Sequence, residues 1–203
     1  MKLPESILNV CGESFLAADE KREKASTARY ADTGVMAATC RHDVPLFAVN
    51  MTSAGEKQHY GLALIDQVFT EIPDHVRVGV MYDIGCQVHC SCKKWGFLPE
   101  LRERIEWAVS VFHAGGHEWA CQLVYHPRKR KGFGRSDGEG CERFWWKLSP
   151  LIANLRVQGY HSRLYTLDAQ MDLIGKESMQ GIGTWLKRKW ETSSAREEEI
   201  GPV

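Results

Sequence analysis

The stretch VRVGVMYDIG, residues 76–85, decides the fold. A nearly unbroken apolar run from Val76 to Tyr82 predicts a strand buried on both faces of a sheet, since a half-solvated strand would alternate apolar with polar side chains. Asp83 then stands at the carboxyl end of that strand, with Gly85 just beyond it.

Working upstream, Leu62, Ile65, Val68, Phe69 and Ile72 recur every three to four residues, the spacing of an amphipathic helix ending before Pro73. VMAATC (35–40) and PLFAVNMT (45–52) are separated only by RHDV, which predicts a hairpin of two antiparallel strands. ILNVCGESF (7–15) reads as an earlier strand, and the polar, turn-rich residues 17–34 as its connection to the hairpin. Downstream, residues 86–105 are expected to be helical with a break near Gly96 and Pro99, and IEWAVSVFH (105–113) to form a further strand. PRKRKGFGRSDGEG (127–140), with four glycines and many charges, predicts a mobile surface connection. CERFWWKLSPLIANLR (141–156) has helical spacing that Pro150 must kink, and TSSAREEEIGPV (192–203) is expected to lack order.

Three antiparallel strands, then alternating helices and strands, is the element order of an α/β, RNase H-like mixed sheet, here with two further strands, flanking helices and a long kinked C-terminal helical region. Residues 1–175 are expected to form this core and 176–203 a helical extension with a disordered tail. Composition fits one soluble globular domain: 43% of the 203 residues are hydrophobic and 26% charged, with 26 basic against 26 acidic side chains. Any nucleic-acid contact must therefore come from a local patch and not from net charge. No run approaches the ~18 apolar residues of a membrane span, and the start lacks a signal-peptide core, so an intracellular location is expected. Seven cysteines in such a chain point to thiols or metal ligands in place of a disulfide framework.

Phosphodiester cleavage and strand transfer can be run with two divalent ions about 4 Å apart. Hard ions such as Mg²⁺ take oxygen ligands, so carboxylates from separate elements must converge. An RNase H-like sheet would supply them from its first strand, the end of its fourth strand and a later helix, where this chain has Glu13, Asp83 and Glu139. With 26 acidic residues, strand-end turn and helix-capping roles compete, the latter at Glu139 between Asp137 and Glu142.

The segments DTGVMAATCRHD, NMTSAGEKQHY, YDIGCQ, SVFHAGGHEWACQLVYHPRK and GFGRSDGEGCERFWW occur in an order and spacing that resemble the motif series of Kyakuja-Dileera-Zisupton (KDZ) transposases, over roughly residues 9–170. The resemblance implies a DNA transposase with an RNase H-like core and an acidic, Mg²⁺- or Mn²⁺-binding triad. Asp83 would be the second acid and Glu139 the third. At the first position, family members usually carry an aspartate, and here Cys-Gly-Glu-Ser-Phe places Glu13. DNA, as transposon ends and target, is the implied partner and the nucleus the implied location; a homo-oligomer stays open. Members are commonly several times longer, so a catalytic-core fragment is expected, and an inactive, transposon-derived remnant that at most binds DNA or protein is the competing reading.

His113, His117 and Cys121 recur every four residues and could contact zinc or a phosphate; Cys40, His42, Cys86, Cys90, Cys92 and Cys141 are further candidate zinc ligands. Arg128, Lys129, Arg130, Lys131 and Arg135 would offer a DNA backbone track just before Glu139. Of the adjacent Trp145 and Trp146, a helix can bury only one fully.

Overall fold

The computed structural model describes residues 32–53 and 55–200. The strand expected over 7–15, and Glu13 with it, lies outside the described residues. Those described group into two compact units, one of 32–38 with Leu46–Cys141 and the other of Thr39–Pro45 with 142–200.

The first unit is a mixed α/β arrangement. Strands β1 (Gly34–Thr39) and β2 (Pro45–Met51) form the expected hairpin, closed at its open end by Thr33 N–H donating to the Met51 carbonyl at 2.7 Å. Helix α1 (Gln58–Thr70) carries the predicted apolar stripe and buries Tyr60, Leu64 and Phe69. Strand β3 (Val78–Met81) pairs in parallel with β4 (Ile105–Ala108), Val78 opposite Ile105 and Met81 opposite Ala108. Between them run α2 (Gly85–Trp95), ended by Gly96 in the left-handed region at φ 70°, and a 3₁₀ turn at Pro99–Leu101. The short helices α3 (Val111–Ala114) and α4 (Trp119–Val124) follow β4. Phe69, Cys86, Val88, Ile105, Trp107 and Tyr125 lie at the centre of the core.

In the second unit, α5 (Gly140–Leu148), which starts in the first, is followed by a 3₁₀ turn at Ser149–Leu151 holding Pro150, then α6 (Ile152–Val157). The kink falls where proline removes an amide donor. Two long helices, α7 (Tyr160–Gln180) and α8 (Ile182–Ile200), complete it. Arg143 grips Asp43 in the tight turn Thr39–Pro45 through two parallel bonds of 2.7 Å, and Ser178 donates to the Asp43 carbonyl at 3.1 Å. No described helix is long and apolar enough to cross a membrane.

Four expectations are corrected. Among the described residues β3 is not the strand buried on both faces: Gly79 is exposed and its neighbours half-buried, whereas Ile105, Trp107 and Ala108 make β4 the buried member of the pair. The apolar run of β3 is interrupted by a glycine whose missing side chain leaves room for the Phe133 ring, 2.9 Å from where a Cβ would stand. The strand expected over 105–113 ends at Ala108, because Val109 N–H turns to the Tyr125 carbonyl at 2.9 Å and the chain then coils into α3. Residues 127–140 are tied down, with Pro127 and Phe133 buried and Arg128 Nη1 donating to the carbonyls of Gly134 at 3.1 Å and Ser136 at 3.2 Å. Finally, helix α8 continues to Ile200 through most of a stretch expected to lack regular structure. Charge-rich helices with a pair such as Lys187–Glu191, one turn apart, read from composition like solvated chain.

Helix α1 is locked to the end of β2 through one phenol. The Tyr60 oxygen accepts from the backbone N–H groups of Thr52 at 2.8 Å and Ser53 at 3.1 Å, with the Ser53 hydroxyl 3.0 Å away. Donors favour the phenolate, so the Ser53 and Thr52 hydroxyls, helped by the two amides and opposed by burial, bring the Tyr60 pKa down to about 8. A spectrophotometric titration is expected to show one tyrosine ionising near pH 8, ahead of the rest. Tyr60→Phe should abolish that early phase and lower the unfolding midpoint by about 5 °C, since two amides lose their acceptor.

Candidate functional site

Parallel strands deliver side chains to a common carboxyl edge, the usual place for ligands in α/β sheets. β3 and β4 do this with the pairing extended by Tyr82 N–H, which donates to the Ala108 carbonyl at 3.1 Å. Asp83 and Ser110 then follow the two strand ends, and the Ser110 hydroxyl donates to Asp83 Oδ1 at 2.8 Å. His113, on the first turn after β4, places Nδ1 3.0 Å from the same Oδ1 and 2.9 Å from Ser110 Oγ. Asp83 remains 40% exposed and His113 32%, so solute can reach this trio.

Glu139 comes to the same segment from the far side of the chain. Its Oε1 accepts from Phe112 N–H at 2.9 Å, while Asp137 holds the turn by accepting Glu139 N–H on its side chain at 3.1 Å and Val111 N–H on its carbonyl at 2.8 Å. Gly138 makes the turn possible, at φ 80° with Met81 and Ser110 atoms 2.8 and 3.0 Å from where a Cβ would sit. Asp83 and Glu139 therefore bond to positions two residues apart on one tripeptide, Ser110–Phe112.

The three residues that recur every four along 113–121 separate. His113 joins the carboxylate, while His117 and Cys121 turn inward and meet Cys86, their ligand atoms all lying within 4.8 Å. The other thiols are elsewhere: Cys40 Sγ is 3.8 Å from His42 Nδ1, whose ring meets Trp185 edge-on, and Cys141 Sγ donates to the Ala37 carbonyl at 3.4 Å. Carboxylate oxygens at the strand edge, and two sulfurs with an imidazole in the core, suit metals of different hardness.

The basic stretch is also divided. Arg128 is engaged by carbonyls of its own loop and Arg130 pairs with Glu106, whereas Lys129, Lys131 and Arg135 are exposed. Trp146 is 77% exposed beside a half-buried Trp145. Sequence reasoning missed Ser110, whose only signal is a hydroxyl three residues before a histidine.

Residues 2–174 match the family model described as Kyakuja-Dileera-Zisupton transposase. The chain belongs to the KDZ transposase family. No curated protein and no solved structure matches it. The motif segments YDIGCQ and DGEGCER of this KDZ chain contain Asp83 and Glu139, so the carboxylates expected from the resemblance are the ones bonded to Ser110–Phe112.

Because Gly138 is both left-handed and wedged against Met81 and Ser110, Gly138→Ala is expected to destabilise the protein by about 1–3 kcal/mol. The check is calorimetry at two pH values, with Gly132→Ala for comparison: Gly132 is also left-handed, at φ 96°, but has nothing within 4 Å of an added Cβ.

Proposed function

We propose that this chain is a DNA strand-cleaving and strand-joining transposase core with an RNase H-like sheet, acting in the nucleus on transposon ends and target DNA. The attachment of Asp83 and Glu139 to one tripeptide carries the reading. The antiparallel hairpin, the helix after it and the parallel pair support the fold assignment.

The residues fit a hard cation. Asp83 and Glu139 present carboxylate oxygens at an accessible strand edge, and Ser110 and His113 both act on Asp83 Oδ1, so an ion would be met by Oδ2. Glu13, at the first acid position, is assigned as the remaining ligand from the motif alone. Mg²⁺ or Mn²⁺ held by these acids would supply charge stabilisation at the scissile phosphate and a more acidic attacking hydroxyl. The chain's own contribution is orientation: Ser110 fixes the rotamer of Asp83, the Phe112 amide fixes that of Glu139, and the Asp137–Gly138 turn holds Glu139 against the Val111–Phe112 segment. The exposed Lys129, Lys131 and Arg135 supply counter-charge for a phosphate backbone.

The decisive experiment combines Mn²⁺ calorimetry with nicking of supercoiled plasmid by the purified chain. Wild type is expected to bind and nick, Asp83→Asn to lose both by about 10³-fold or more, and Ser110→Ala or His113→Ala to weaken metal affinity by about 10–100-fold. Glu13→Asp should tighten binding. Loss in Glu142→Gln with none in Glu139→Gln would move the third acid three residues along the chain. A folded wild type that neither binds Mn²⁺ nor nicks DNA would overturn the proposal.

For DNA affinity, alanine at Lys129, Lys131 or Arg135 should each lower the salt dependence by about one unit of slope. Arg128→Ala and Arg130→Ala should in addition lower thermal stability, because those side chains also hold the loop.

A further inference from the structure

The strand-end carboxylates leave unused a group of side chains that the core has drawn together from two distant segments. Cys86 sits in the first turn of α2, and Cys121 in the middle of α4; His117 lies two residues before α4. They are 2%, 1% and 5% exposed, so all three are inside the first unit. His117 presents Nδ1 to Cys86 Sγ at 3.4 Å, and one ligand atom from each of the three lies within 4.8 Å of the others. Tetrahedral zinc bonded to sulfur at about 2.3 Å and nitrogen at about 2.0 Å places those atoms about 3.6 Å apart, close to the observed separation.

A fourth sulfur is available at the right period. Cys90 is four residues after Cys86 on α2, so the two share one helix face. The supporting shell is built as well. Gln122 donates to the His117 carbonyl at 2.7 Å and His117 N–H donates to the Ala114 carbonyl at 3.2 Å, which fixes the imidazole's backbone from both sides.

We infer that Cys86, Cys90, His117 and Cys121 form a structural zinc site that staples α2 to the segment carrying α3 and α4. Three thiolates and an imidazole select a soft, tetrahedral ion over Mg²⁺ or Ca²⁺, and a closed four-ligand set leaves no position for substrate. The ion would hold in place the two stretches that follow β3 and β4, those from which Asp83 and His113 project. This site is independent of the strand-cleavage reading, since it shares no ligand with it.

The test is metal content of the full chain purified from zinc-supplemented cells, together with cobalt spectroscopy of the stripped protein. Wild type is expected to carry one zinc per chain. On Co²⁺ addition it should develop thiolate-to-cobalt charge-transfer bands and the intense visible bands of a tetrahedral site. Cys86→Ser, His117→Ala and Cys121→Ser should each drop zinc below about a tenth of wild-type occupancy. Cys92→Ser, Cys40→Ser and Asp83→Asn should retain it, and Asp83→Asn separates this outcome from failure of the cleavage site. Because ligand variants can unfold, the wild-type cobalt spectrum stands by itself: a folded wild type with neither stoichiometric zinc nor tetrahedral cobalt bands would overturn the inference. Full zinc in Cys121→Ser would overturn it too, and full zinc in Cys90→Ser would remove Cys90 as the fourth ligand.

Discussion

The parallel pairing of β3 with β4 is the constraint on which the first unit depends. The Ala108 carbonyl receives the Tyr82 amide and stands 2.6 Å from where a side chain on Gly85 would begin. Only a glycine lets the chain leave β3, expose a carboxylate and enter α2 at that distance. The turn YDIGCQ therefore does two things in six residues: it points Asp83 out toward Ser110 and His113, and it sends Cys86 inward toward His117 and Cys121.

That division follows charge and polarizability. Carboxylates stay at the accessible strand edge, and their orientation comes from a hydroxyl, an imidazole and a backbone amide. Thiols tolerate burial as small apolar groups, and the core keeps them beside Trp107 and Tyr125. His89, which bonds the Tyr125 hydroxyl at 3.0 Å, is driven to the neutral form with a pKa of about 4, chiefly by burial and next by the Lys93 and Arg130 charges.

Much of this was legible in the sequence because it is local. The hairpin, α1, the break at Gly96 and Pro99, and the kink at Pro150 each follow from periodicity or a backbone-restricting residue. The KDZ motifs marked Asp83 and Glu139 as a pair, but their common attachment depends on a contact between Asp83 and Ser110, 27 residues apart, and another between Phe112 and Glu139, equally distant. No periodicity encodes such contacts. The loop 127–140 misled for a related reason, since glycines signal turns without saying that Phe133 among them is buried. Equal spacing of His113, His117 and Cys121 suggested one cluster, yet the helix breaks between α3 and α4 and sends the histidines to opposite neighbours.

The Asp43–Arg143 pair joins residues 100 positions apart within the second unit. A ribosome adding about 5–20 residues per second exposes the Thr39–Pro45 turn roughly 5–20 seconds before its arginine is made. During that interval the hairpin tip, with Asp43 in the left-handed region at φ 63°, has no guanidinium to hold it. The second unit is consequently a late event in the life of the chain, completed only when synthesis has passed the first, and any cut ahead of α5 also strips the hairpin tip of its arginine.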